Sequence, residues 1–191
     1  MIRAIFVCLA GVLLADVQPL EVLEKALDEL LVINSRFSSS NQIGSDAHLN
    51  ELLEAGKGYF DFEEMARRSF GKIWSLLSEE QKKEAQVLLT EILARSYIGK
   101  IAKVSRNSVK FLSQSLAGDK AEVRSEVADS DLSQKAILIY RLKKTNSDWR
   151  VYDVIIDNVS LTANYRSEFA AIYDKKGYEG LIKELRQKLK K

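Results

Sequence analysis

The side chains able to do chemistry are few, and their spacing argues against most of it. His48, the only histidine, has Asp46 and Glu51 nearby on a short helix-like stretch. A histidine and one carboxylate do not make a zinc site without further ligands, and no HExxH spacing supplies them. His48 is therefore expected on the surface. Serines are plentiful, yet none lies in a GxSxG elbow or close to His48 in the chain. The one catalytic arrangement worth weighing pairs Asp153 with Tyr140 or Tyr152 on a cone-like α+β scaffold. A carboxylate beside a phenol in an apolar pocket moves protons on small substrates, as isomerases and dehydratases do. Alternation along a strand points Asp153 away from Tyr152 beside it, which weakens that reading.

The elements that would position these groups follow from periodicity. Pro19 suits the start of a first helix, with Leu20, Leu23, Leu27, Leu30 and Leu31 spaced for one face. The polar stretch Ser38–Asp46 reads as a loop, followed by a short helix over Ala47–Ala55. Asp61 is the expected N-cap of a helix carrying Met65, Phe70, Ile73 and Trp74. Ser78 with Gln81 matches a capping box and opens a long helix to about Lys103. From Val109 the period changes to two. Val109–Leu116, Ala121–Ala128, Lys135–Leu142 and Trp149–Ile156 read as four strands of an antiparallel meander, turning at Gly118-Asp119, Asp129–Ser133 and Asn146–Asp148. On parity, Tyr152, Val154 and Ile156 share a face opposite Asp153. Leu161–Lys176 and Tyr178–Leu189 read as helices separated by Gly177. The sum is one α+β domain.

Composition bounds the partners. At 191 residues, 46% hydrophobic and 29% charged, the chain is long enough for a substantial core. A net charge of +2 gives no basis for nucleic-acid binding. Met1-Ile2-Arg3 followed by the uncharged run Ala4–Leu14 and then Ala15 has the order of a secretory signal peptide, too short to span a bilayer. We read residues 1–15 as that signal, with cleavage near Ala15–Asp16, and 16–191 as a single domain. Cys8, the only cysteine, lies inside the signal behind Val7, which is too large for a lipoprotein site. The mature chain then has no disulfide and no thiol chemistry.

Several stretches, taken together in order and spacing, resemble the MlaC family, the toluene-tolerance or phospholipid-transport periplasmic proteins. They are Phe60-Asp61-Phe62 with Met65-Ala66-Arg67, then Gly71, Trp74, Ser78, Gln81 and Tyr97. The closing match is Tyr152-Asp153-Val154, Asp157, Val159-Ser160-Leu161, Asn164-Tyr165-Arg166 and Phe169, with Gly177-Tyr178 and Leu181 beyond. Asn158 stands where the family commonly has glycine. The resemblance implies helices packed on a curved antiparallel four-stranded sheet, an NTF2-like cone. It also implies a periplasmic carrier without cofactor or metal that holds phospholipid tails. Such a carrier exchanges lipid with an outer-membrane lipoprotein–porin complex and an inner-membrane ABC transporter bearing an MCE-domain ring, which together maintain outer-membrane lipid asymmetry.

A carrier must keep acyl tails from water without trapping them. At roughly 0.8 kcal/mol per CH₂, two tails of about 30 methylenes in all cost on the order of 24 kcal/mol to expose. An aliphatic and aromatic lining without buried charge removes that penalty, while the head group stays in water. The expected cavity lies between the strand face and helices carrying Trp74, Tyr97, Ile98, Ile101 and Phe169. Phe111, Leu138, Tyr140, Tyr152, Val154 and Ile156 are the expected tail contacts on the strands. Arg67, Arg68, Lys100, Lys103 and Arg106 could meet phosphate or an acidic partner, although a solvated helix face accounts for them better. Asp157 and Arg166 are expected to tie strand to helix.

Overall fold

The computed structural model describes residues 17–128, 135–146 and 148–190, side chains 98 and 99 excepted. The expected signal over 1–15, with Cys8, and the turn over 129–133 lie outside these residues. Helix α1 (Pro19–Ser39) carries its proline in the first turn, where a missing N–H leaves no bond unmade. Helix α2 (Asp46–Gly56) begins on Ser45, whose Oγ accepts from the His48 N–H. Helix α3 (Phe62–Phe70) begins on Asp61, which accepts the Glu64 N–H at 2.9 Å. This helix stops short of Ile73 and Trp74. Gly71, at φ 54° and ψ −124°, ends it, and Gly71–Leu76 continue as a 3₁₀ helix. A Cβ at Gly71 would lie 2.9 Å from the Arg166 stem, so backbone and packing both require glycine here. Helix α4 (Glu79–Ile101) opens on the expected capping box, with Ser78 and Gln81 exchanging bonds of 2.9 and 3.3 Å.

Strands β1 (Val109–Ala117), β2 (Lys120–Ala128), β3 (Lys135–Thr145), β4 (Asp148–Ile156) and β5 (Val159–Ser160) form one antiparallel sheet in chain order. The fifth strand is not apparent in the sequence, because two residues are too few for a period. It exists because Asp157 and Asn158, at φ 48° and 68°, make a tight hairpin turn of the kind that needs two left-handed residues. Asp157 also accepts the Ile137 N–H at 3.2 Å, and the Arg166 stem packs over Gly71, so the expected Asp157–Arg166 tie is not made. Helix α5 (Leu161–Lys188) is broken at Gly177, where φ is 64° and ψ −168°.

Two bulges decide which side chains share a face. Leu112 is unpaired in β1, between Phe111 opposite Ser125 and Ser113 opposite Arg124. Tyr152 is the extra residue of β4, between Val151 opposite Leu142 and Asp153 opposite Arg141. An extra residue inverts the alternation beyond it. Trp149 and Val151 therefore share a face with Val154 and Ile156, and Tyr152 leaves it. The expected grouping of Tyr152 with Val154 and Ile156 is corrected accordingly.

Apolar burial falls into two clusters. Helices α3, α4 and α5 enclose one, including Met65, Phe70, Leu89, Phe169, Leu181 and Leu185. The other joins Val22 and Leu23 of α1 to Ala121, Val123, Leu142, Trp149, Val151 and Val154. Phe60 and Leu161 pack against both and connect them.

His48 is buried, contrary to its expected surface position. The Gly44 N–H donates to its Nδ1, so Nε2 carries the proton and donates to Asn34 Oδ1 at 2.9 Å. Asn34 Nδ2 in turn donates to the Ile101 carbonyl at 2.8 Å. The chain of bonds ties α1, α2 and the end of α4 together. Burial lowers the His48 pKa below its usual 6.5, with Glu51 opposing weakly. The unfolded chain then takes up a proton that the folded chain refuses, and stability is lost as pH falls below about 6.5. Urea unfolding at pH 7.5 and 5.5 is expected to show a larger loss for the wild type than for His48→Gln. Equal losses would refute a titrating His48.

Candidate functional site

The inner face of the sheet is built from cross-strand rows. Ala121, Leu142 and Val151 form one row, Val123, Tyr140 and Val154 the next, and Phe111, Ser125, Leu138 and Ile156 the third. Burial changes along it. The first row and neighbouring Trp149 are packed under Val22 and Leu23 and are at most 4% exposed. In the second and third rows Tyr140, Phe111, Leu138 and Ile156 are only half-buried, although they touch the same cluster. The face is thus a packed floor that opens into partly uncovered apolar side chains.

The face is neutral where it opens. Burial raises the Tyr140 phenol above its usual value, and the Ser125 hydroxyl opposes that only in part. Tyr140 is therefore uncharged at ordinary pH. Gln114, whose residue opposes Val123, is engaged as acceptor of the Leu20 N–H at 3.1 Å, which holds the start of α1 to the edge strand. Lys144, over the Trp149 ring at 5.9 Å, stands at the packed end.

Of the expected tail contacts, Phe111, Leu138, Tyr140, Val154 and Ile156 come together on this face. Trp74, Tyr97 and Phe169 belong to the helix cluster instead. Ile101 is half-buried at the end of α4, and the Ile98 side chain lies outside the described residues. Tyr152 is covered by the Arg68 guanidinium at 4.1 Å from its ring centre. The separation has a local cause. Gly71 turns the chain so that Ile73 and Trp74 follow α3 into the helix cluster, and Trp74 meets Phe70 at 6.1 Å. Ser125, fully buried in the middle of the inner face, went unremarked in the sequence. Its parity with Ala121, Val123 and Val127 was the available signal.

The basic groups are largely engaged. Arg67 and Arg68 both bond to Glu64, at 2.6 and 2.8 Å. Burial works to raise the Glu64 carboxyl, and the two guanidinium groups outweigh it and hold it below the usual range. Arg106 reaches Asp28 at 2.5 Å. A cleft of about 430 Å³ beside the β3–β4 turn is walled by Lys57, Asp61, Glu63, Asp148 and Arg150 together with Phe60 and Phe62. Charges of both signs suit it to water more than to hydrocarbon.

Asp153 does not meet Tyr140, and on the side it shares with Tyr152 its oxygens are engaged by other groups. Asp153, 3% exposed, accepts from Ser160 Oγ at 2.7 Å and from the Thr162 N–H at 3.1 Å, with Arg141 Nη1 at 3.7 Å. Its oxygens hold the β5–α5 junction. Tyr140 lies on the opposite face, because Asp153 is paired with Arg141, the neighbour of Tyr140 in β3. Among the described residues no cluster of metal-ligating side chains occurs, and no helix is long and apolar enough to cross a membrane.

The fold and the site define an α+β protein with an uncharged, partly uncovered apolar sheet face and, among the described residues, no cluster of metal-ligating side chains. The chain belongs to the MlaC protein family, whose model matches residues 25–187. That family comprises transport proteins and not enzymes. The intermembrane phospholipid transport system binding protein MlaC of Haemophilus influenzae is 21% identical over 184 residues, covering 91% of this chain and 83% of that protein. The solved structure of a phospholipid-binding protein from Ralstonia solanacearum, in complex with a phospholipid, has a TM-score of 0.79 and 25% identity. The match covers 91% of this chain and 98% of that one.

Proposed function

We propose that this protein is a periplasmic phospholipid carrier that shelters acyl tails on the inner face of its sheet and leaves the head group in water. The observation that carries the reading is the structural match to a phospholipid-bound protein across 91% of the chain. The half-buried Phe111, Leu138, Tyr140 and Ile156 support the placement of the tails. Such side chains can move aside for hydrocarbon without exposing a charge, so transfer between bilayer and protein is near neutral in free energy. The carrier exchanges lipid with an outer-membrane lipoprotein–porin complex and an inner-membrane ABC transporter with an MCE-domain ring, in the service of outer-membrane lipid asymmetry. Export relies on residues 1–15 as a cleaved signal.

Purification without detergent, denaturing extraction and lipid mass spectrometry test the reading directly. We expect about one phospholipid per chain, with mixed head groups. Protein that emerges free of lipid and takes up none from vesicles would refute the carrier.

A further inference from the structure

A hydroxyl on the apolar face is buried without a hydrogen bond of ordinary length, and the polar group beside it is the Tyr140 phenol. Ser125 is 0% exposed, and its Oγ makes no hydrogen bond. Its cross-strand neighbours Phe111 and Leu138 and its same-face strand neighbours Val123 and Val127 offer no polar side chain. A buried hydroxyl without a partner is destabilising, and native proteins rarely keep one without a use. Tyr140 lies diagonally across from it on β3, since Tyr140 is opposite Val123 and Leu138 is opposite Ser125. Diagonal neighbours on one face are within reach of a long side chain. Two hydroxyl groups thus stand side by side where the packed floor meets the half-buried rim.

We infer that Ser125 and Tyr140 form a polar subsite that hydrogen-bonds the ester carbonyls of a diacyl phospholipid. The inference rests on the carrier reading and adds the chemical feature it recognises. A phospholipid has two kinds of oxygen. Its phosphate group is charged and stays in water, whereas ester carbonyls are neutral acceptors that can enter an apolar site. Ser125 Oγ–H and Tyr140 Oη–H are neutral donors, and a diacyl lipid presents two such acceptors. The bond formed in the complex gives the Ser125 hydroxyl the close acceptor it lacks without ligand. It also sets the depth of the lipid. The glycerol esters sit beside Ser125, with the head group in water and the tails against the half-buried Phe111, Leu138 and Ile156.

The test uses delipidated protein and equimolar vesicles of dioleoyl-phosphatidylglycerol and a dialkyl ether lipid with the same head group and chains. Ether oxygens are much weaker acceptors than carbonyls. Bound lipid is counted by mass spectrometry after repurification. Wild type is expected to take the ester lipid roughly tenfold in preference, the combined effect of two ordinary hydrogen bonds. In Ser125→Ala/Tyr140→Phe the ratio is expected to fall to about one. Wild type that takes both lipids equally, or a double variant that keeps the preference, would overturn the subsite while leaving the carrier intact. Failure of wild type to take either lipid would overturn the carrier reading and the subsite with it. Lipid-free Ser125→Ala is expected to melt close to wild type, because the Ser125–Tyr140 contact is not a hydrogen bond of ordinary length. A clear drop would mean that Ser125 and Tyr140 bond each other firmly without ligand and would also overturn the inference.

Discussion

Leu138→Asp is expected to remain folded and to lose its phospholipid, from about one per chain to less than about a tenth. Leu138 is half-buried at the rim, opposite Ser125 on one side and Ile156 on the other. Its carboxylate replacement can turn partly to water, so the stability loss is on the order of 2 kcal/mol. A tail laid across the same position would bury that carboxylate without a partner, at several kcal/mol. Each 1.4 kcal/mol is a tenfold loss of affinity, so binding fails well before folding does. Val154 is a poorer choice for this test. It is 8% exposed and packs in the floor with Val151 and Leu142, where a charge would unfold the chain and strip the lipid for a trivial reason. Near-ultraviolet circular dichroism establishes the fold of Leu138→Asp, and extraction counts its lipid. Native dichroism with lipid at the wild-type level would remove Leu138 from the binding face.

Phe169→Ala is expected to destabilise the protein by about 3–5 kcal/mol. Phe169 is 0% exposed, and its ring meets Phe70 at 4.9 Å and Tyr165 at 5.4 Å. It joins α5 to α3 in a cluster sealed by Leu181 and Leu185, so truncation leaves a hole that backbone on three helices must collapse to fill. The melting temperature should fall by roughly 10 °C. The folded fraction should still carry its phospholipid, because among the described residues Phe60 and Leu161 are the ones packed against both this cluster and that of the sheet face. A loss of lipid with little loss of stability would place Phe169 on the binding face and join the two clusters into one cavity.

These two experiments divide residues that the sequence alone had placed in a single cavity. The reason is local. Strand alternation identifies Leu138 and Tyr140 as one face of β3, and their burial agrees. The same rule fails in β4, because the bulge at Tyr152 inverts the alternation and sends its ring under Arg68. Trp74 follows the same pattern of failure. Helical period carries it on from Phe70, but the left-handed Gly71 breaks the period between them. His48 departs from its expected surface position for a different reason. A lone histidine beside acidic residues looks solvated, and only the arrival of Asn34 and Gly44 from other parts of the chain satisfies both ring nitrogens well enough to bury it.

What the sequence determined by itself was whatever depends on a few adjacent residues. Asp61 and the Ser78–Gln81 pair cap their helices as local hydrogen bonding requires. The strands β1 to β4 begin and end close to where the period of two does, and the order and spacing of the matched residues were enough for the family. Tertiary structure decided the rest. Whether an apolar residue is floor, rim or helix core depends on bulges, on one left-handed glycine and on what another segment lays over it. None of these is encoded in a window of neighbours. Ser125 makes the point most simply: in sequence it is a serine among alternating residues of a strand, and only packing shows a hydroxyl enclosed without a hydrogen bond of ordinary length.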